Sequence, residues 1–165
     1  MSDSRADGER FDAIVVGAGI AGLYFHYKLK KMGWKVKGFE TGTGVGGTWY
    51  WNRYPGARFD SESYTYGYSF SQEILRDWEW KEHFSAQPEN ERYLNYVADK
   101  FELRKDIQFE SKVLSATYRP QSLDWTVETE NGDIVTARFL LFATGILSAP
   151  FIPEIPASDS YQGQS

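Results

Sequence analysis

The chain has 165 residues, enough for one substantial hydrophobic core and consistent with a single domain or part of a larger protein. A formal net charge of -5 offers no basic surface to attract nucleic acid or an anionic membrane. The absence of cysteine excludes disulfides, thiolate metal sites and cysteine nucleophiles, and His26 and His83, the two histidines, have no partner at metal-ligand spacing, so no metal site is expected.

Residues 1–10 are polar and of mixed charge, which predicts a disordered tail and not a signal peptide. No apolar run approaches membrane-spanning length, and a cytoplasmic protein is expected. Phe11 to Val16, with β-branched Ile14, Val15 and Val16, reads as a strand buried on both faces. Gly17-Ala18-Gly19-Ile20-Ala21-Gly22 follows directly, a G-x-G-x-x-G pattern. Here Gly17 permits a tight turn, Gly19 lets a pyrophosphate approach the backbone, and Gly22 lets the next helix pack closely on the strand.

That helix is predicted from Ile20 through Met32, with Ile20, Leu23, Tyr24 and Tyr27 on one face. Lys28, Lys30 and Lys31 suit the negative end of its dipole, and Gly33 stops it. Its N-terminus points free N–H groups at the place where the glycines admit a phosphate. A second strand, Lys35 to Phe39, ends in Glu40, about where this unit places the acid that bonds the adenosine ribose. A carboxylate there repels a 2′-phosphate, so this site is expected to hold FAD or NAD and not NADP.

Thr41 to Trp49 carries four glycines and reads as a loop, continued through the Pro55-Gly56 turn to Asp60. Trp49, Tyr50, Trp51, Tyr54 and Phe59 are unusual for a mobile loop and predict one packed around a ligand. Gln72 to Glu82 and Pro88 to Arg104 read as helices covering the sheet, the second with Tyr93, Leu94, Val97 and Phe101 on one face. From Ile107 the period changes to two. Phe109, Lys112 to Tyr118, Trp125 to Glu130 and Ile134 to Ala137 read as short strands, with Asn131-Gly132 as a tight hairpin turn. Together they suggest a β-meander inserted into an α/β domain. Phe139 to Ala143 is a continuous apolar run, predicted to return to the parallel sheet and end at the small residues Thr144-Gly145. Pro150, Pro153 and Pro156 then stiffen a connector.

These residues resemble the Baeyer–Villiger monooxygenases, class B flavoproteins that insert oxygen beside a ketone carbonyl. The resemblance runs from Phe11 to Gly163 and is carried by Gly17-Ala18-Gly19 with Glu40, by the long block Gly46 to Arg58, by Asp60, and by Ala143-Thr144-Gly145. It implies a Rossmann-like FAD-binding domain over residues 11–147, incomplete at its C-terminal side, and a linker over 148–165 toward an NADPH-binding domain. FAD would be held by Gly17, Ala18, Gly19, Ile20, Ala21 and Gly22, by Glu40, by Gly46, Gly47, Thr48 and Trp49, by Asp60, Tyr66 and Val113, and by Ala143, Thr144 and Gly145. Arg58, Phe59 and Asp60 would border NADPH.

The implied chemistry is flavin reduction by NADPH, reaction with dioxygen to a C4a-peroxyflavin, and conversion of a ketone to an ester or lactone. Asp60 is the implied catalytic residue, with Arg58 beside it favouring the ionised carboxylate. The family signature Phe-x-Gly-x-x-x-His-x-x-x-Trp would start at Tyr161-Gln162-Gly163, with tyrosine in place of phenylalanine, so the sequence is read as the N-terminal portion of such an enzyme, inactive alone. A related flavin monooxygenase acting on nitrogen or sulfur, and a non-catalytic nucleotide-binding module, are the competing readings. The Arg53 to Asp60 stretch favours ketone oxidation, because the resemblance places Asp60 beside the reactive flavin face.

Overall fold

A computed structural model describes residues 9–149, 151, 153–156 and 160–163. Most of the expected N-terminal tail, and Pro150 of the connector, lie outside the described residues. Arg10, assigned to the tail from sequence, instead opens strand β1 (Arg10–Val16), and Glu9 before it pairs with Lys35 at 2.8 Å.

β1 is followed by helix α1 (Ile20–Lys31) and strand β2 (Val36–Phe39). α1 stops where Gly33 takes φ +78°, with the amide of Trp34 reaching back to Leu29 O at 3.1 Å. The predicted loop after β2 contains two single-turn helices, α2 (Thr48–Trp51) and α3 (Ser63–Tyr66). α2 forms because the amides of Trp49 and Tyr50 turn back onto the carbonyls of Gly46 and Gly47.

The helix expected from Gln72 to Glu82 is shorter, α4 (Gln72–Asp77). Trp78 and Trp80 both pack on Tyr93, with ring centroids 5.2 and 4.9 Å away. Residues two apart point to different sides of a helix, so sharing one target requires an extended backbone there. α5 (Gln87–Lys100) buries Tyr93, Leu94, Val97 and Ala98. It ends short of Arg104 because Glu102 adopts a left-handed conformation at φ +52°, after which a 3-10 turn (Leu103–Asp106) leads into strand β3 (Ile107–Gln108). The strand predicted around Phe109 is thus placed just before it.

Strands β4 (Val113–Arg119), β5 (Asp124–Thr129) and β6 (Ile134–Phe142) complete a six-stranded sheet in the order β3-β2-β1-β6-β5-β4. β1, β2, β3 and β6 are parallel, whereas β4, β5 and β6 run antiparallel to their neighbours among themselves. The hairpin between β5 and β6 has Gly132 at φ +86° with its amide on Thr129 O, and Asn131 does not share the positive φ. A two-residue type I′ turn would require both, so the loop is the longer form closed by a left-handed glycine.

Sequence reading divided residues 134–143 into a meander strand and a return strand; residues 134–142 form the single strand β6. Its first half pairs with β5 (Glu128↔Ile134 to Trp125↔Ala137), while from Thr136 onward it follows β1, from Arg10↔Thr136 to Val16↔Phe142. The meander inserted into the α/β domain therefore continues the parallel sheet through β6.

α1 is the helix that packs on β1 and β2, whereas α5 packs against α1, α2 and the 3-10 turn. On the α1 side, Ala13 and Val15 are buried with Leu29 and Val36. On the other, Ile14 and Phe39 share a cluster with Val127 and Val135, so the meander curls over that face. Each large apolar side chain buried in this way contributes roughly 1.5 to 3 kcal/mol of transfer free energy. A third cluster joins Leu23 of α1 to Tyr93, Leu94 and Val97 of α5 and to Trp49 and Phe59 of the long loop.

Candidate functional site

Because β1, β2 and β6 are parallel neighbours, their carboxyl ends lie together, the position at which open α/β sheets bind ligands. A cavity of about 680 Å³ opens there, within the range of small-molecule sites. Val16, Phe39 and Phe142 form its floor from the three strands, and the segments that follow each strand form its walls.

One wall is backbone. Gly17 has φ +103°, and a Cβ on it would stand 2.5 Å from Ala143 O. A Cβ on Gly22 would stand 1.9 Å from Gly17 O, so α1 can begin this close to β1 only without a side chain. Gly19 and Gly47 face each other, and a Cβ on Gly47 would lie 2.7 Å from Gly19 Cα. The first backbone bond of α1 runs from Leu23 N to Gly19 O at 3.0 Å, the Gly19 cap offers no side chain, and the first turn holds no acid. Ile20 and Ala21 therefore present amides at the positive end of a helix dipole to the cavity they line.

Glu40 closes the opposite wall. It is buried, and Oε2 accepts the amide of Ala18 at 2.7 Å while Oε1 accepts that of Gly42 at 2.8 Å. A carboxylate has about four acceptor positions, so two remain for hydroxyl groups in the cavity. Gly46 is held by its amide on Ala18 O at 3.1 Å, which fixes the glycine-rich loop against the β1 turn.

Of the residues assigned to the site from sequence, Gly17, Gly19, Ile20, Ala21, Glu40, Gly46, Gly47, Thr48, Tyr66, Val113, Ala143, Thr144 and Gly145 line the cavity. Ala18, Gly22, Trp49, Arg58, Phe59 and Asp60 are not on its wall. Ala18 and Gly22 act from behind, through the bond to Glu40 and the close helix approach. Trp49 and Phe59 are buried beneath Tyr66: the Trp49 indole donates to Tyr66 Oη at 2.6 Å, and the Phe59 and Tyr66 rings are 4.1 Å apart. Burial raises the Tyr66 phenol above its ordinary pKa, partly opposed by the Trp49 bond, so it stays a neutral hydroxyl on a residue that lines the cavity. Gln87 secures this layer by donating to Trp49 O at 2.5 Å.

Arg58, read from sequence as the neighbour that favours an ionised Asp60, is not paired with it. The Arg58 guanidinium bonds Glu82 at 2.5 Å and the carbonyl of Phe84, because the short bridge between Arg58 and Ala86 lays this segment along residues 82–86. Asp60 is exposed and has no ion pair among the described residues. Thr41, Trp51, Asn52, Ser111, Lys112, Leu147 and Ser148 line the cavity without having been assigned to it. Proximity to Glu40, to the Gly46 to Trp49 loop and to Gly145 was a usable signal for most of them; for Ser111 and Lys112, brought in by a long-range crossing, the adjacent Val113 was the available one.

The NAD(P)-binding Rossmann-like domain family matches residues 15–78. Acetone monooxygenase (methyl acetate-forming) of Gordonia sp. is 46% identical over 153 residues, which cover 93% of this chain and 29% of that protein. Phenazine N-monooxygenase PhzNO1 of Lysobacter antibioticus is 47% identical over 159 residues, 96% of this chain and 29% of that protein. A solved structure of OTEMO in complex with FAD and NADP matches with a TM-score of 0.86 and 47% identity, covering 93% of this chain and 29% of that one. This chain matches the N-terminal portion of the Baeyer–Villiger and related flavin monooxygenases. It spans about 30% of the length of the relatives it matches. The family match over residues 15–78 includes both walls of the cavity, the β1 to α1 turn and the Glu40 end of β2.

Proposed function

We propose that this chain forms the FAD-binding portion of an FAD- and NADPH-dependent Baeyer–Villiger monooxygenase that converts ketones to esters or lactones with dioxygen. The observation that carries this reading is the cavity itself, where a side-chain-free glycine cradle at the α1 N-terminus faces a buried acid with acceptor positions to spare. These residues fit FAD. The α1 amides and Gly19 would hold the pyrophosphate, Glu40 the adenosine ribose, and Thr48, Tyr66 and the Ala143 to Gly145 segment the flavin half. When bound, the flavin supplies dioxygen activation and NADPH supplies the hydride.

The chain's own part is to position and to shield. Gly47 packs its backbone against Gly19, the Trp49 and Phe59 layer holds the Tyr66 hydroxyl in place, and Asp60 stands exposed at the end of the loop, available to orient a cation. Arg58, Phe59 and Asp60 would lie toward NADPH. The acetone-oxidising relative supports ketone chemistry; the phenazine relative supports oxygenation of nitrogen as the second reading.

Titration of the purified chain with FAD, followed by flavin fluorescence, tests the cofactor assignment: saturable one-to-one binding is expected, and its absence overturns it. Substrate class is tested in a polypeptide joining this sequence to the remaining length of a family member, supplied with NADPH, air and either a cyclic ketone or a heteroaromatic amine. Lactone formation is expected, and N-oxide alone would establish the second reading.

A further inference from the structure

Tyr66 lines the cavity and begins a file of aromatic rings that ends at the protein surface. Gly67 follows it and passes so close over α5 that an added Cβ would stand 3.4 Å from Tyr93 Oη and 3.6 Å from Trp80 Nε1. The amide of Tyr68 then donates to Tyr93 Oη at 2.7 Å, with the two ring centroids 6.0 Å apart. The Trp78 centroid is 5.2 Å from that of Tyr93 and 5.4 Å from that of Tyr96, and Tyr96 Oη donates to the exposed Asp77 carboxylate at 3.3 Å. These separations are those of aromatic rings in direct contact. Among the described ring pairs, Tyr96 joins the file through Trp78 alone.

Packing does not account for this choice of rings. Trp78 buries its indole Nε1 with no hydrogen-bond partner among the described residues, a cost that phenylalanine there would avoid. What tryptophan and tyrosine share, and phenylalanine lacks, is a ring that gives up one electron readily. Of the other oxidisable side chains, the sequence has no cysteine, and neither methionine, Met1 or Met32, belongs to the file.

Proton acceptors give the file a direction. An oxidised tyrosine settles as a neutral phenoxyl radical only where its proton has somewhere to go. The oxygens of Tyr66 and Tyr93 meet the N–H groups of Trp49 and Tyr68, and the Tyr68 hydroxyl meets the carbonyl of Ile20, none of which takes a proton. Burial also pushes the Tyr93 phenol up to about 12, against the Tyr68 bond. Tyr96 is the tyrosine of the file that bonds a carboxylate.

We propose that Tyr66, Tyr93, Trp78 and Tyr96 form a relay that moves an electron vacancy from the cavity to the surface and so protects the cavity wall from stray one-electron oxidation. A one-electron oxidant arising in the cavity gains the electron that Tyr66 loses, and each ring in turn refills the one before it. At Tyr96 the O–H bond breaks, the proton passes to Asp77 and on to water, and the phenoxyl radical remains. A reductant of the ascorbate or thiol class in solution returns one electron, water returns the proton, and the phenol is restored. The relay rests on the FAD assignment made above only for the source of the oxidant.

The test supplies the oxidant without FAD, so that failure of the relay and failure of the FAD assignment are separate results. Thr48 is exposed on the cavity wall beside Trp49, and in a chain with no native cysteine Thr48→Cys carries a thiol-reactive ruthenium polypyridyl photo-oxidant at one place. After a light flash with a sacrificial electron acceptor, a nitroso spin trap in solution marks surface radicals and peptide mass spectrometry locates them. Adduct at Tyr96 is expected, abolished by ascorbate, lost in Trp78→Phe and unchanged in Tyr118→Phe, whose ring lies on β4 away from the file. Circular dichroism checks that each variant folds as the parent does. Tyr96→Phe, which removes one hydroxyl at the surface, is expected to leave a radical inside the protein that ascorbate no longer discharges, read by electron paramagnetic resonance. Adduct confined to Trp49 and Tyr50 beside the label overturns the relay. So does equal adduct at Tyr96 in Trp78→Phe, because the vacancy would then reach Tyr96 through solution, and so does a radical discharged by ascorbate as fast in Tyr96→Phe as in the parent.

Discussion

Glu40 Oε2 accepts the backbone N–H of Ala18 at 2.7 Å, so one carboxylate ties the acid at the end of β2 to the glycine turn at the end of β1. Glu40→Ala removes that acceptor and the one for Gly42, leaving two amides exposed to an apolar cleft, and it also removes the proposed ribose contact. Loss of a charge-assisted hydrogen bond to ligand corresponds to roughly 1.5 to 3 kcal/mol, so FAD affinity is expected to fall about tenfold or more. Flavin fluorescence titration measures this directly, and affinity equal to the parent's would remove Glu40 from the ribose.

His26 gives the fold a specific response to acid. Its imidazole is fully buried on α1 against Gly38, with neither ring nitrogen hydrogen-bonded among the described residues, and burial lowers its pKa from 6.5 to about 4 despite the nearby Asp106 carboxylate. Between those values the unfolded chain binds a proton that the folded chain refuses. Stability contributed by neutral His26 is therefore complete above about pH 6.5 and declines as pH falls toward 4, by about 3 kcal/mol in all. Urea midpoints measured from pH 7 to 4 should fall, and His26→Leu should remove this component; an unchanged slope in that variant would assign the acid response to other groups.

Asp60 is the proposed catalytic contributor whose substitution should cost least in folding, being exposed and without an ion pair among the described residues. In a polypeptide extended to the full length of a family member, Asp60→Ala should keep bound FAD and lose ester formation by about a hundredfold or more, the scale of a removed electrostatic contact in the transition state. The measurement is product per bound flavin, and a normal rate would show that Asp60 serves only the loop.

The 165-residue chain assayed alone is expected to form no lactone or ester, since it carries one G-x-G-x-x-G unit, and oxygen insertion requires hydride delivery to the flavin as well. Phe142, Ile146 and Leu147 are 60%, 97% and 63% exposed, which favours association between copies. NADPH consumption and product are followed with FAD, a cyclic ketone and catalase present, and light scattering reports association. Sustained product over many turnovers contradicts this expectation.

What could be read from the sequence was whatever is decided locally. The β1, α1, β2 unit and the place of Glu40 follow from steric rules and spacing within thirty or so residues, and they are where the sequence placed them. The end of α4 was not legible, because Trp78 and Trp80 leave the helix to meet Tyr93 on a later element. Nor was the unity of β6, since nothing in residues 134–143 states that both halves share β1 as a neighbour. The partner of Arg58 was missed for the same reason: Asp60 is near in sequence, but Glu82 is near in space. The site divides likewise, its glycines and acid being local and Lys112 arriving by a crossing from β3.

The double membership of β6 has a consequence for how the chain acquires its shape. Ile14 and Leu140 are sheet neighbours from opposite ends of the sequence, so β1 waits for nearly all the intervening chain before its second edge is occupied. During synthesis, β1, α1 and β2 emerge first and can join only each other. Closing the gap then carries a large loop entropy, and the meander strands are the local contacts that bring β6 into position. Deleting β4 and β5 as if they were a decoration would remove the template on which β6 is assembled, and with it the Ala143 to Gly145 wall of the cavity.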